Sequence, residues 1–130
     1  MSYDVKQWLP ADKIQEEYKQ KLVTADEAVK VVQSGDYLHL GLFCGVVVDL
    51  EAALARRANE LEDITICTTM WSYPEKPKTL QADPNAEHFH YSSSHFTGTE
   101  RNCNKEGNCW FLPVQFRENT KFYEECRPQF

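Results

Sequence analysis

No run of apolar residues in this chain approaches the roughly 18 needed to cross a bilayer, and its N-terminal stretch is charged where a secretory signal would carry an apolar core. Neither a membrane partner nor a signal peptide is expected, and a cytoplasmic location is. Basic runs are missing too. No five or more Lys and Arg stand together, and 20 acidic side chains against 14 basic ones give a net charge of −6. Nucleic acid and anionic membrane are therefore not expected as partners. Cys44, Cys67, Cys103, Cys109 and Cys126 are odd in number and contain no CxxC pair, which argues against both a disulfide framework and a zinc ribbon. Reduced thiols in a cytosol fit that pattern. The few glycines form no GxGxxG, and no Gly-Lys-Ser/Thr follows them, so the dinucleotide fingerprint and the P-loop are both excluded.

What is present is enough for one core. A chain of 130 residues suits one domain or a piece of a larger protein, and is short for a two-domain enzyme. The organising stretch runs from Tyr37 to Leu50. It opens as a strand, breaks at Gly41, makes a short loop to Gly45 and continues as an amphipathic helix to about Glu60. A second strand follows at Ile64 to Thr69, so strand, crossover helix and strand fit within roughly 33 residues, the length of a βαβ unit. The expected fold class is therefore α/β, an open and mainly parallel sheet with flanking helices. Its loop from Gly41 to Gly45 lies at the carboxyl end of a parallel strand, the edge at which open α/β sheets bind ligands.

Around that unit, Pro10 marks the start of a helix with Ile14, Tyr18 and Leu22 on one face. Thr24-Ala-Asp-Glu27 reads as a capping box, and Ser34-Gly35-Asp36 as a left-handed stop. In the helix after the loop, Leu50, Leu54, Ala58 and Leu61 share a face, with Glu51, Arg56, Arg57 and Glu60 elsewhere. Pro74, Pro77 and Pro84 make Met70 to Pro84 a long connection that cannot be helical throughout. Glu87 to Ser92 alternates like a strand, Ser93 to Gly107 reads as polar and unassigned, and Trp110 to Phe116 as an apolar β-like run. Arg117 to Cys126 is expected as a closing helix with Phe122 and Tyr123 inward. A pattern that stops there suggests an unfinished sheet.

Several constellations have a functional and a plain interpretation. The two glycines of the loop bound a ligand edge or merely let the helix pack closely on the sheet. His88 and His90 share a strand face and, with His95, Cys103 and Cys109, could be drawn as a metal site. Their spacing matches no zinc pattern, so polar strand and loop positions are expected and no metal. Cys44 stands by a helix N-terminus, but no His and Asn or Asp set accompanies it, and a small buried residue is expected. The aromatics from Trp110 to Phe116 are expected in core and interface. Glu106-Gly107 is read as a solvated loop, and no carboxylate pair marks itself as an acid and base.

Taken in order, Thr24-Ala-Asp-Glu-Ala-Val, Ser34-Gly-Asp-Tyr-Leu, Gly41-Leu-Phe-Cys-Gly45 with Leu50 following, Ala53-Leu-Ala-Arg-Arg and Gly107-Asn-Cys-Trp-Phe-Leu-Pro-Val resemble the N-terminal domain of the acetyl-CoA hydrolase/transferase family. That family includes the 4-hydroxybutyrate, butyryl-CoA:acetate and acetate CoA-transferases. The resemblance covers about residues 18 to 126. Where the family loop carries a proline two residues after its second glycine, this chain has Val47.

The resemblance implies a CoA-transferase N-terminal domain across residues 1–130, an incomplete part of a longer two-domain protein. It implies CoA moving between a short-chain acyl-CoA and a carboxylate through a glutamyl-CoA thioester. The glutamate lies in the second half, so no catalytic residue is assigned here. Gly41, Leu42, Phe43, Cys44 and Gly45 are expected to wall the acyl-CoA site. Coenzyme A enters as substrate, with no covalently held cofactor. The partners expected are the C-terminal domain or a separate subunit, and a homo-oligomer. Two other interpretations remain: a non-catalytic binding or assembly module of the same fold, and a sugar-phosphate isomerase. The latter needs a phosphate loop richer in Ser and Thr than Gly41 to Gly45.

Overall fold

A computed structural model describes residues 10–118 and Thr120. Its centre is a parallel sheet of order β1-β2-β3-β4, formed by Tyr37–Leu42 (β1), Ile64–Thr69 (β2), Phe89–Ser93 (β3) and Cys109–Phe111 (β4). Helices Ala11–Lys21 (α1) and Ala25–Ala28 (α2) precede it. Val48–Ala55 (α3), Lys78–Ala82 (α4) and Gly98–Glu106 (α5) alternate with the strands. Parallel neighbours cannot be joined by a hairpin, so each pair needs a crossover. Crossovers are right-handed, and a sheet that grows in one direction therefore carries its helices on one face. The packing agrees: Leu54, Leu80 and Cys103, one from each crossover helix, share a core with Ile64, Ile66, Phe89 and Tyr91. Burying each of the larger side chains is worth roughly 1.5–3 kcal/mol.

The α/β class and the parallel order are as expected, and several local expectations are corrected. The break foreseen at Gly41 is a bulge inside β1: the pairing with β2 slips between His39 and Leu42, and Gly41 adopts φ +97°. The following helix ends at Ala55, with a separate 3₁₀ turn at Ala58–Glu60. Glu51, expected on the outer face of that helix, is instead 1% exposed. Helix α1 forms where Pro10 predicts it, but Ile14, Tyr18 and Leu22 lie largely exposed instead of facing a core.

At α2, Thr24 Oγ1 accepts from Glu27 N at 3.2 Å, while the Glu27 carboxylate turns to Lys30 and leaves the capping box half made. The complete box is at Thr97 and Glu100, inside the stretch read as unassigned, where it starts α5. Gly107 at φ +87° stops that helix, so Glu106 ends a helix and pairs with Lys76 at 2.6 Å instead of lying in a loop. Gly35 is left-handed, at φ +86°, but it is not the helix stop its sequence predicts: the helical segment has already ended at Val31 with Val32 extended, and Gly35 belongs to the turn that leads into β1.

The aromatic run also departs from expectation. Only Cys109–Phe111 is strand, and Trp110 and Phe111 are 45% and 55% exposed, because β4 is short and has a β neighbour on one side alone among the described residues. Of the closing helix expected over Arg117 to Cys126, only Arg117, Glu118 and Thr120 are described, the first two in a 3₁₀ turn at Phe116–Glu118, and the rest falls outside the described residues.

Candidate functional site at the carboxyl edge of the sheet

At the end of β1 the chain turns sharply. A Cβ on Gly41 would lie 2.7 Å from the Gly45 carbonyl oxygen, so both its φ and its surroundings require glycine there. Its N–H donates to Nδ1 of His39 at 3.1 Å, and partial burial lowers the His39 pKa. Phe43, Cys44 and Gly45 then form one 3₁₀ turn, in which Phe43 takes φ +52°. A left-handed phenylalanine costs about 1–2 kcal/mol. Val46, only 4% exposed, pins the turn to the core, and the Val47 N–H donates to the Leu40 carbonyl at 3.2 Å before α3 begins.

Leu42 and Gly41 are half-buried, while Phe43, Cys44 and Gly45 are exposed. The expectation of a buried Cys44 is thus wrong, because the turn points outward and Val46 takes the inward position. Gly45 differs from Gly41: a Cβ there would meet nothing within 4 Å, and its φ lies outside the left-handed region.

The neighbouring strand ends complete the edge. Met70, directly after β2, takes φ +60°. Ser93 Oγ accepts from its N–H and from that of His95, both at 3.4 Å, and Thr69 Oγ1 and Ser94 Oγ are 2.7 Å apart. From the β2–α4 connection the Tyr73 hydroxyl donates to the Cys44 carbonyl at 3.3 Å. Two hollows lie beside the start of α3, and Gly41 to Gly45 line neither. One of about 340 Å³ lies against Val48, Asp49, Trp71, Tyr73 and Pro74, and another of about 400 Å³ against Thr24, Val46, Val47 and Leu50.

Glu51 is the residue sequence reasoning missed. Pro77, which precedes α4, offers no side-chain cap, and Glu51 supplies one from α3. Its Oε1 accepts from Thr79 N at 2.6 Å and Thr79 Oγ1 at 2.7 Å, and its Oε2 from Lys78 N at 3.0 Å. Nothing local signals this, since the partners are 27 and 28 residues away. Glu100, fully buried, serves α5 similarly: its Oε2 accepts from Thr97 N at 2.7 Å. The Thr-x-x-Glu spacing was the available signal. Both carboxylates are consumed as caps, so neither is a free acid or base.

The histidines do not converge. His88 precedes β3 with its N–H on Asp83, His90 Nε2 lies 3.2 Å from Asp63 Oδ1, and His95 is exposed. Among the described residues no group of three His, Cys, Asp or Glu could hold a metal ion. Cys67, Cys103 and Cys109 are buried free thiols whose pKa values burial raises, that of Cys109 to about 12. Such thiols are poor nucleophiles.

A parallel sheet with an exposed, glycine-built turn between its first strand and first crossover helix defines an open α/β domain. Residues 6–126 match the acetyl-CoA hydrolase/transferase N-terminal domain, and the chain belongs to that family. It is 43% identical over 108 residues to a probable butyrate:acetyl-CoA coenzyme A-transferase of Syntrophomonas wolfei, and 42% identical over 108 residues to the butyryl-CoA:acetate CoA-transferase of Anaerostipes caccae. These matches cover 82% and 83% of this chain but only 23% and 24% of the relatives, so the chain spans about a quarter of their length. The crystal structure of RipA from Yersinia pestis shares the fold, with a TM-score of 0.68, 23% identity and coverage of 82% of this chain and 26% of that one.

Proposed function

We propose that this domain is part of the N-terminal half of a CoA-transferase that moves CoA between a short-chain acyl-CoA and a carboxylate of the acetate, butyrate or 4-hydroxybutyrate class. The observation that carries the proposal is the exposure of Phe43, Cys44 and Gly45 at the carboxyl end of β1, in a chain whose curated relatives are named for butyrate and acetate transfer. On this reading Gly41 to Gly45 walls the acyl and pantetheine site.

The chemistry belongs to a glutamate on the continuing polypeptide or a partner subunit. Its carboxylate attacks the acyl-CoA carbonyl and expels the CoA thiolate, leaving a mixed anhydride. The thiolate then attacks the glutamyl carbonyl and releases the first carboxylate. The second carboxylate reverses both steps and leaves as its CoA thioester. The glutamyl thioester must be kept from water, and walling is what this chain would contribute. We place the working enzyme in the cytoplasm as a homo-oligomer, which light scattering would measure.

The test is CoA transfer from butyryl-CoA to acetate, followed as acetyl-CoA formed, by the full-length polypeptide and by residues 1–130 separately. Transfer is expected from the first and none from the second. Turnover by residues 1–130 alone would refute the division between a walling half and a reacting half.

A further inference from the structure

We propose that Tyr73 is a positioning residue for the glycine turn, its hydroxyl holding the Cys44 carbonyl so that the Cys44–Gly45 peptide is presented in one orientation at the sheet edge. The geometry stands independently, and only the kinetic consequence rests on the transferase reading.

The turn needs such a hold. Its three residues are exposed, Phe43 is strained, and Val46 is the nearest side chain buried in the core. A strained and solvent-exposed turn persists in one conformation only when its surroundings over-determine it. The Tyr73 hydroxyl, 3.3 Å from the Cys44 oxygen, is a contact made from a separate element.

Tyr73 is itself held at both ends of its segment. Its ring packs against Trp71 with centroids 5.4 Å apart, and Trp71 is 4% exposed, with Nε1 donating to the Glu75 carbonyl at 2.7 Å. Farther along, Lys78 and Thr79 are bound to Glu51 on α3, the helix into which the glycine turn feeds. The circuit closes on itself: turn, α3, Glu51, the start of α4, Tyr73 and back to Cys44. A trans peptide points its carbonyl and its N–H in opposite directions, so a carbonyl held toward Tyr73 directs the Gly45 N–H away from it. The hydroxyl therefore sets a backbone dipole at the edge proposed for acyl-CoA, and its ring lines the 340 Å³ hollow.

The experiment replaces Tyr73→Phe in the full-length polypeptide, which keeps the ring and its Trp71 contact. Three quantities are read: the alkylation rate of Cys44 by iodoacetamide, mapped by peptide mass spectrometry, the kcat and KM for butyryl-CoA to acetate transfer, and the Tm. Cys44 labelling should rise about threefold and kcat/KM should fall roughly threefold to tenfold, the effect of one hydrogen bond. The Tm should stay within about 2 °C. Tyr18→Phe, on the exposed face of α1, should move none of them. Unchanged Cys44 labelling overturns the proposal. So does raised labelling with unchanged kinetics in an active enzyme, or a fall in Tm large enough to account for both changes. If the unsubstituted polypeptide does not transfer CoA but Tyr73→Phe still raises labelling, the transferase reading fails and the hold on Cys44 stands.

Discussion

Gly41 and Gly45 are in contact through space: a Cβ on Gly41 would reach 2.7 Å from the Gly45 carbonyl oxygen, whereas a Cβ on Gly45 would meet no atom within 4 Å. The two ends of the turn are glycine for different reasons. Gly41→Ala must adopt φ near +97° and displace a backbone carbonyl, so a loss of about 2 kcal/mol or more is expected in urea denaturation. Gly45→Ala should change stability by less than about 1 kcal/mol. On the transferase reading it should nonetheless raise KM for butyryl-CoA. Equal losses of stability in the two variants would remove the distinction.

Glu51 joins two crossover helices with one carboxylate. Glu51→Ala leaves the N–H groups of Lys78 and Thr79 without their acceptor in a buried setting, and a cost of roughly 3 kcal/mol is expected. Glu51→Gln keeps one acceptor oxygen and should cost less. Denaturation curves for the pair would show it, and a harmless alanine would mean that water replaces the carboxylate.

Asp83 fastens the turn before β3, accepting from the N–H groups of Glu87 at 3.0 Å and of His88 and Phe89 at 2.7 Å. Burial alone would push its pKa up. The three N–H bonds and the nearby His88 outweigh burial and leave the carboxyl below its ordinary value of 3.8. A lowered folded pKa gives stability that is complete above the unfolded value and is lost as pH falls through the folded one. The protein should therefore lose this contribution progressively below about pH 4. Asp83→Asn should show a shallower acid limb when Tm is followed from pH 6 downward, and identical slopes would rule Asp83 out as the group responsible.

The thiols should separate cleanly. At pH 8 iodoacetamide is expected to modify Cys44 in the native protein and to spare Cys67, Cys103 and Cys109. Burial first, then Glu100 and Cys103, push the Cys109 pKa up to about 12 from an ordinary 9.0. A raised folded pKa gives stability that is present below the unfolded value and disappears as pH climbs toward the folded one. Stability contributed by Cys109 should therefore decline between about pH 9 and 12. Cys109→Ala should lack that part of the alkaline loss. Labelling of Cys109 as fast as Cys44 in the native protein would contradict the burial.

Much of the fold was legible because its signals are local. Gly35 takes the left-handed conformation that Ser34-Gly35-Asp36 predicts, Pro10 marks the start of α1, and the apolar runs at Tyr37 and Ile64 become adjacent parallel strands. The family resemblance used the same ordered segments. The candidate turn was legible as far as its ends, through Gly41 and Gly45. Its inner residues were not: Cys44 was expected inside and is outside, because a turn of three residues can seat either Cys44 or Val46 in the core and both are small and apolar. Thr97-x-x-Glu100 was readable and overlooked amid polar neighbours, which is why α5 was missed.

The strand, helix and strand of β1, α3 and β2, the left-handed position at Gly35 and the membership of the acetyl-CoA hydrolase/transferase family were contained in the sequence, since periodicity, turn chemistry and motif order act over a few residues each. Tertiary structure alone decided that Glu51 is buried and caps another helix, that Ile14 and Tyr18 stay exposed, and that Tyr73 meets Cys44. Those outcomes depend on the angle and register at which crossover helices pack on the sheet. Residues 28 and 29 positions apart meet only through that packing, and no local pattern encodes it.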